Sequence, residues 1–371
     1  MTMIDLNSQS ITALFNHMFN EGFVNRLAHD TISFFQDPAF FSLALAKQRR
    51  LRKLALTFSR PGKRCVFVSH TLRNLTLDTD LYDVCYLPKG YFSDLTDLDV
   101  MKRAAYIECG IVIINNNDSH EKGNANGYVQ VFNQSPNTLF VVWDFDNHHW
   151  LSLSPALAAH SDVYVPAHMD NHYLLSKYNS AVTDPVAAGV IQWTSSFLAT
   201  NVGEILHSTR VSTSLGMHIP YSAFSYRSQV IVTLSQKIPS IGFSSHDFHE
   251  RSDRDRFQEW HGFKSHWIVP VLNDIPIRIF DALVTGGIPI VPESLRFIHP
   301  ISAIPREHII FYDADDIMDP ERLIIIANKM FDVGGPGNIV QRHRFALDHH
   351  HGDQSFRKIM SYVNEKIENI C

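Results

Sequence analysis

Arg278 and Asp281 lie three residues apart in an otherwise apolar run, I-P-I-R-I-F-D-A-L-V at residues 275–284. On a helix, positions three and four apart share a face, so Arg278, Asp281 and Thr285 line one side while Ile279 and Leu283 bury the other. A cation and a carboxylate projecting together can hold a phosphate and a hydroxyl. The plainer alternative is a surface i, i+3 pair worth a few tenths of a kcal/mol. A second group follows the apolar run ending at Trp143, where the chain reads Asp144, Phe145, Asp146, Asn147, His148, His149, Trp150. Buried carboxylates and imidazoles are costly unless paired or used. Asp144 or Asp146 can serve as a base toward a hydroxyl or stabilise a cation, with His148 or His149 binding the second reactant; alternatively, one Asp caps the helix expected from Leu151 and satisfies the histidines. Cations available for a phosphate are Arg227, Arg251, Arg254, Arg256, Lys264 and Arg278, each of which taken alone could equally be a surface salt bridge.

The elements that must position these groups can be read from the pattern. Around Arg278 the chain runs apolar segment (267–271), polar break (Asn273, Asp274), helix (about 275–285), Gly286-Gly287 and a second apolar segment (288–291), which is strand, helix, strand. Asn273 or Asp274 can cap the helix, Pro276 is tolerated in its first turn, and the glycines can close it. A helix following a parallel strand opens at the carboxyl edge of the sheet, where its N–H groups favour phosphate. Upstream, short apolar runs at 65–69, 82–87, 110–114, 138–143 and 162–165 alternate with helix-like pieces, the mark of a doubly wound parallel sheet. The expectation is therefore an α/β chain of two Rossmann-like domains, residues 1–185 and 186–371, with a boundary near Thr183-Asp184-Pro185. The polar loop 115–124 follows a strand and is either part of a second-reactant site or a mobile surface loop.

The run R-x-F-D-A-L-x-x-G-G-x-P-I-V at 278–291 resembles the donor-site segment of two-domain (GT-B) glycosyltransferases, in particular the spore-maturation-type, family-1-like branch. The tail, with Phe311-Tyr312-Asp313 and a His-containing turn at His349-His350-His351, resembles that branch's closing pattern. The likeness spans about residues 267–367. It implies two domains facing each other across a cleft, a nucleotide-sugar donor, and a glycan, lipid-linked or protein acceptor, most readily in bacterial surface polysaccharide synthesis. Asp281 would contact the ribose; Arg227, Arg251, Arg278 and the Gly286-Gly287 turn complete the expected donor-binding set. Asp144, Asp146 and His149 are the expected catalytic residues on the acceptor side. The wider retaining families carry a second acid eight positions before the first, where this chain has Asn273; retention is the outcome the resemblance implies. No cofactor and no metal is expected beyond the donor itself: His246-x-x-His249 and the 349–351 triplet lack the Cys or Glu partners of a zinc site. His299-Pro300 resembles the His-Pro pair of some sialyl- and Kdo-type transferases, which keeps CMP-linked donors in view. The alternatives are an epimerase or hydrolase of the same fold, or a binding module without turnover.

Composition fits an ordinary globular chain: 371 residues, 45% hydrophobic, 19% charged and a net charge of −6, which argues against nucleic acid as a partner. Cys65, Cys85, Cys109 and Cys371 are too widely spaced for a metal motif and read as reduced, buried thiols. The first residues lack a basic segment followed by an apolar run, and no segment reaches the ~18 apolar residues of a span, so a cytoplasmic protein is expected. The basic cluster Lys47 to Lys53 either contacts the inner membrane surface or forms a solvated helix face.

Overall fold

The computed structural model describes residues 38–58, 62–76, 81–119, 124–145, 154–176, 178–221, 224–244 and 251–369. The chain divides into two compact units, residues 1–53 and 54–371. Of the first, the described part belongs to the helix Pro38–Phe58, on which Arg49, Arg52 and Lys53 of the basic cluster are exposed.

The second unit holds two parallel sheets. The first contains β1 (Arg64–Val68), β2 (Tyr82–Tyr86), β3 (Ile111–Asn115), β4 (Leu139–Trp143) and β5 (Val163–Val165), in the order β2-β1-β3-β4-β5. The second contains β6 (Val211–His218), β7 (Ile241–Phe243), β8 (Phe263–Trp267), β9 (Ile288–Pro292) and β10 (Ile310–Tyr312), in the order β10-β9-β8-β6-β7. Every pairing is parallel. This is the doubly wound α/β pair of sheets that the GT-B resemblance implies.

Strand periodicity divides the first core. Ile111, Ile113, Leu139, Val141 and Trp143 face one layer, and Val112, Ile114, Phe140 and Val142 face the other, as alternation along a sheet covered on both sides requires. One layer is closed by the last helix, Gly352–Glu368, whose Phe356, Ile359, Met360, Val363 and Ile367 recur at helical spacing. The segment expected as the second domain thus supplies its final helix to the core of the first sheet. The path back is fixed at a turn where Val190 N–H donates to His350 O (2.7 Å) and Gly352 N–H to Val190 O (2.9 Å). A Cβ on Gly189 would lie 1.5 Å from that His350 carbonyl, so only glycine permits the approach.

The long closing helix, Pro320–His349, is broken at Gly335 (φ 56°, ψ −161°) ahead of Pro336. The helix packs beside β6, β8 and β10. No helix among the described residues is long and apolar enough to cross a membrane.

Candidate functional site

At the carboxyl edge of the second sheet, β6 ends in His218, which is fully buried. Its Nδ1–H donates to Gly216 O at 2.6 Å, and its Nε2 accepts the Val269 N–H at 3.0 Å. A ring with one donor and one acceptor is neutral. Burial first, then the nearby Arg278 and Arg227 charges, hold its pKa well below the ordinary histidine value. The loop after β8 is further pinned by Arg227, from the helix Ser225–Ser235, whose Nε donates to Val269 O (3.0 Å) and Nη1 to Ile219 O (2.8 Å). Tyr312 reaches the same loop through Ile268 O at 3.2 Å. Backbone carbonyls leave the Arg227 charge uncompensated.

Arg278 stands beside it as the first residue of the helix Arg278–Val284. It is partly buried and makes no hydrogen bond or ion pair with the described residues. Burial first, then repulsion from Arg227, lowers its pKa to about 10. Neither guanidinium bonds a carboxylate among the described residues, so together they can attract an anion.

Asp281 lies one turn further on and is completely enclosed. Its Oδ2 accepts the Gln192 side-chain amide, and its Oδ1 has no partner among the described residues. Burial raises its pKa to about 7, against the lowering effects of Gln192, Arg256 and Arg278. Gln192 belongs to the segment joining the sheets; its carbonyl and that of Ile191 accept from Asn74 Nδ2 at 2.9 and 2.6 Å. A chain of polar contacts therefore runs from the carboxyl edge of the first sheet, where Asn74 sits, to the helix carrying Arg278.

That helix begins at Arg278 rather than near Ile275. Asp274 spends its carboxylate on the adjacent Ile275 N–H (3.0 Å), and Leu272 and Asn273 take positive φ (46° and 64°), so the chain turns before it winds. The carbonyls of Pro276 and Ile277 accept the first helical N–H groups. Asn273, at the place of the second family acid, accepts from Ser294 Oγ at 2.5 Å. Gly286 and Gly287 close the helix through N–H bonds to Leu283 O (2.9 Å) and Ala282 O (2.8 Å). They precede β9, which puts them at the amino edge of the sheet, opposite Arg278; they are a helix stop there and not a donor contact. Gly286 has φ +80°, and a Cβ on it would lie 2.6 Å from Ile339 Cγ2.

The other expected phosphate partners are engaged elsewhere. Arg251 pairs with Glu259 (2.8 Å), Arg254 with Glu204 (2.8 Å), Arg256 with Asp253 (2.5 Å) and Lys264 with Asp332 (2.8 Å). On the first sheet, Asp144 is fully buried and accepts from Ser154 Oγ (2.8 Å) and from the Tyr164 hydroxyl. This places it under the start of the helix Ser154–Ala159, facing protein groups. Asp146, His148 and His149 lie outside the described residues, as do His246 and His249. His350 stacks on Phe280 at 4.4 Å, and the side chain of His351 caps the last helix at Asp353 N–H (3.2 Å). Residue reading missed His218 and Gln192 as site components. His218 ends a strand whose polar residues hide it, and nothing in the residues around Gln192 ties it to Asp281.

No family model matches the chain, and no curated protein matches it. Among solved structures it is similar to a glycosyltransferase from Rickettsia africae ESF-5, at 8% identity and a TM-score of 0.47 over 83% of this chain and 100% of that one. It is also similar to an α,α-trehalose 6-phosphate synthase from Burkholderia multivorans, at 8% identity and a TM-score of 0.48 over 83% and 97% of the two chains. A UDP-forming α,α-trehalose-phosphate synthase from Burkholderia vietnamiensis aligns at 8% identity with a TM-score of 0.44, covering 83% and 99%. What the site does is therefore read from its own residues.

Proposed function

We propose that this chain is a glycosyltransferase moving a sugar from a nucleotide-activated donor to a glycan, lipid-linked or protein acceptor. The observation that carries the reading is Arg278, a cation with open donors next to the backbone-anchored Arg227 at the carboxyl edge of a parallel sheet. Transfer breaks the bond between the anomeric carbon and the diphosphate, and negative charge collects on the departing oxygens. Guanidiniums already in place favour that charge without reorganising. Arg227 cannot swing away, because Ile219 O and Val269 O hold it; Arg278 supplies the free donors. The ribose goes to Asp281 once the Gln192 amide turns aside. The base that takes the acceptor proton belongs to Asp146 or His149.

A cytoplasmic setting in bacterial surface polysaccharide synthesis, with peripheral contact to the inner membrane through Arg49, Arg52 and Lys53, is part of the same proposal. A second reading, a nucleotide-sugar-binding module without turnover, is favoured by Asn273: an amide bonded to Ser294 replaces the second family acid. A thermal-shift screen of UDP, GDP, CMP and dTDP nucleotides on wild type and Arg278→Ala tests the site. One nucleotide should stabilise wild type and lose most of that effect in the variant. No response to any of them sinks both readings, and binding of a nucleotide sugar without product from any acceptor selects the second.

A further inference from the structure

A cavity of about 230 Å³ opens at the carboxyl edge of the first sheet, among the chain segments leaving β1, β2 and β3. We infer that it binds a small hydroxylated anion, a sugar phosphate or a sugar acid, which on the sugar-transfer reading would be the acceptor. The floor is a fixed polar cluster. Asp118 accepts from Thr71 Oγ1 at 2.9 Å and from the Asn115 N–H at 3.1 Å, and Ser69 Oγ lies 2.8 Å from Thr71 Oγ1. Asn115 Nδ2 donates to the same threonine oxygen. Each hydroxyl is thus oriented before any ligand arrives, and hydroxyl-rich ligands are recognised by such preset donors and acceptors.

The rim is cationic. His70, Arg73 and Lys89 border the opening around Asp118, the one carboxylate among its described lining residues. Arg73 is exposed, and its guanidinium makes no hydrogen bond or ion pair with the described residues. A neutral sugar would leave that guanidinium unused; a phosphate or carboxylate can take it bidentately. Burial raises the Asp118 pKa, against hydrogen bonds from Ser69, Asn115 and Thr71 and the nearby His70. The volume falls below the roughly 300–1,000 Å³ of pockets for drug-sized ligands, which selects a monosaccharide over an oligosaccharide.

Isothermal titration calorimetry of the full chain with a hexose 6-phosphate, a hexuronic acid, the neutral hexose and inorganic phosphate tests the inference, using wild type, Arg73→Ala and Lys89→Ala. Both side chains are exposed, so the variants should fold. Either anionic sugar should bind at least tenfold more tightly than the neutral hexose, and Arg73→Ala should weaken it about tenfold or more. Which anionic sugar binds separates a phosphate from a carboxylate ligand. Equal binding of the neutral hexose, equal binding of inorganic phosphate, or an unchanged Arg73→Ala overturns the inference. Nucleotide titration of the same samples separates the two readings. Anionic-sugar binding without nucleotide binding removes sugar transfer and leaves this site; the reverse removes this site alone.

Discussion

Asp281→Asn should make this protein more stable at alkaline pH and leave it unchanged in acid. The carboxyl is enclosed, and its pKa is raised from 3.8 to about 7 because burial outweighs Gln192 and the two arginines. An acid whose folded pKa is raised keeps its proton longer in the folded state than in the unfolded chain. Its penalty is therefore absent below about pH 4, grows as pH rises, and is complete above about pH 7. About three pH units at roughly 1.4 kcal/mol each give about 4 kcal/mol as a ceiling. Asparagine keeps an oxygen to accept the Gln192 amide and removes the charge. Urea denaturation at pH 4, 6 and 8 should show the variant gaining about 1–4 kcal/mol at pH 8, about two-thirds of that at pH 6 and little at pH 4. A variant less stable than wild type at pH 8, or a difference that ignores pH, would show that Asp281 does not carry a burial penalty.

Gly286→Ala should cost about 1–3 kcal/mol in denaturant titration, because it strains a left-handed residue and drives a methyl toward Ile339. It should leave nucleotide binding intact, since the glycine sits at the opposite edge of the sheet from Arg278. Asp144→Ala should cost about 2–3 kcal/mol by stranding the Tyr164 and Ser154 hydroxyls in the core, read as a lower urea midpoint. Arg227→Ala should combine both losses. Two loop carbonyls go unpaired at about 1–3 kcal/mol each, and nucleotide affinity drops with the charge; a variant that binds nucleotide like wild type would remove Arg227 from the site.

Most of the first sheet was legible because its strands are short apolar runs buried on both faces, as at Ile111–Asn115 and Leu139–Trp143. The first strand of the second sheet in chain order was harder to read. Val211–His218 reads V-S-T-S-L-G-M-H, and Ser214 is fully buried with its side-chain oxygen unpartnered among the described residues, so apolar periodicity could not mark it. β8 starts at Phe263 and ends at Trp267, earlier than the 267–271 run suggested, because Ile268 to Val271 leave the sheet to form the loop that His218 and Arg227 hold. Within the site, Arg278 was legible from its charge in an apolar helix. The sequence could not show that Arg251, Arg254 and Arg256 would find carboxylates of their own. Nor could it show that Asp281 would face Gln192, 89 positions away in the chain. Both depend on where the segment between the sheets crosses.

On the sugar-transfer proposal, Arg278, unpaired among the described residues, takes the donor diphosphate. Calorimetric dissociation constants for one nucleoside as its mono- and diphosphate, on wild type and Arg278→Ala, test it most directly. Wild type should prefer the diphosphate by tenfold or more, and the variant should lose that preference, in line with the roughly 1.5–3 kcal/mol of a hydrogen bond to a charged group. A variant that retains the full preference, or a wild type that binds neither, would remove Arg278 as the diphosphate's partner.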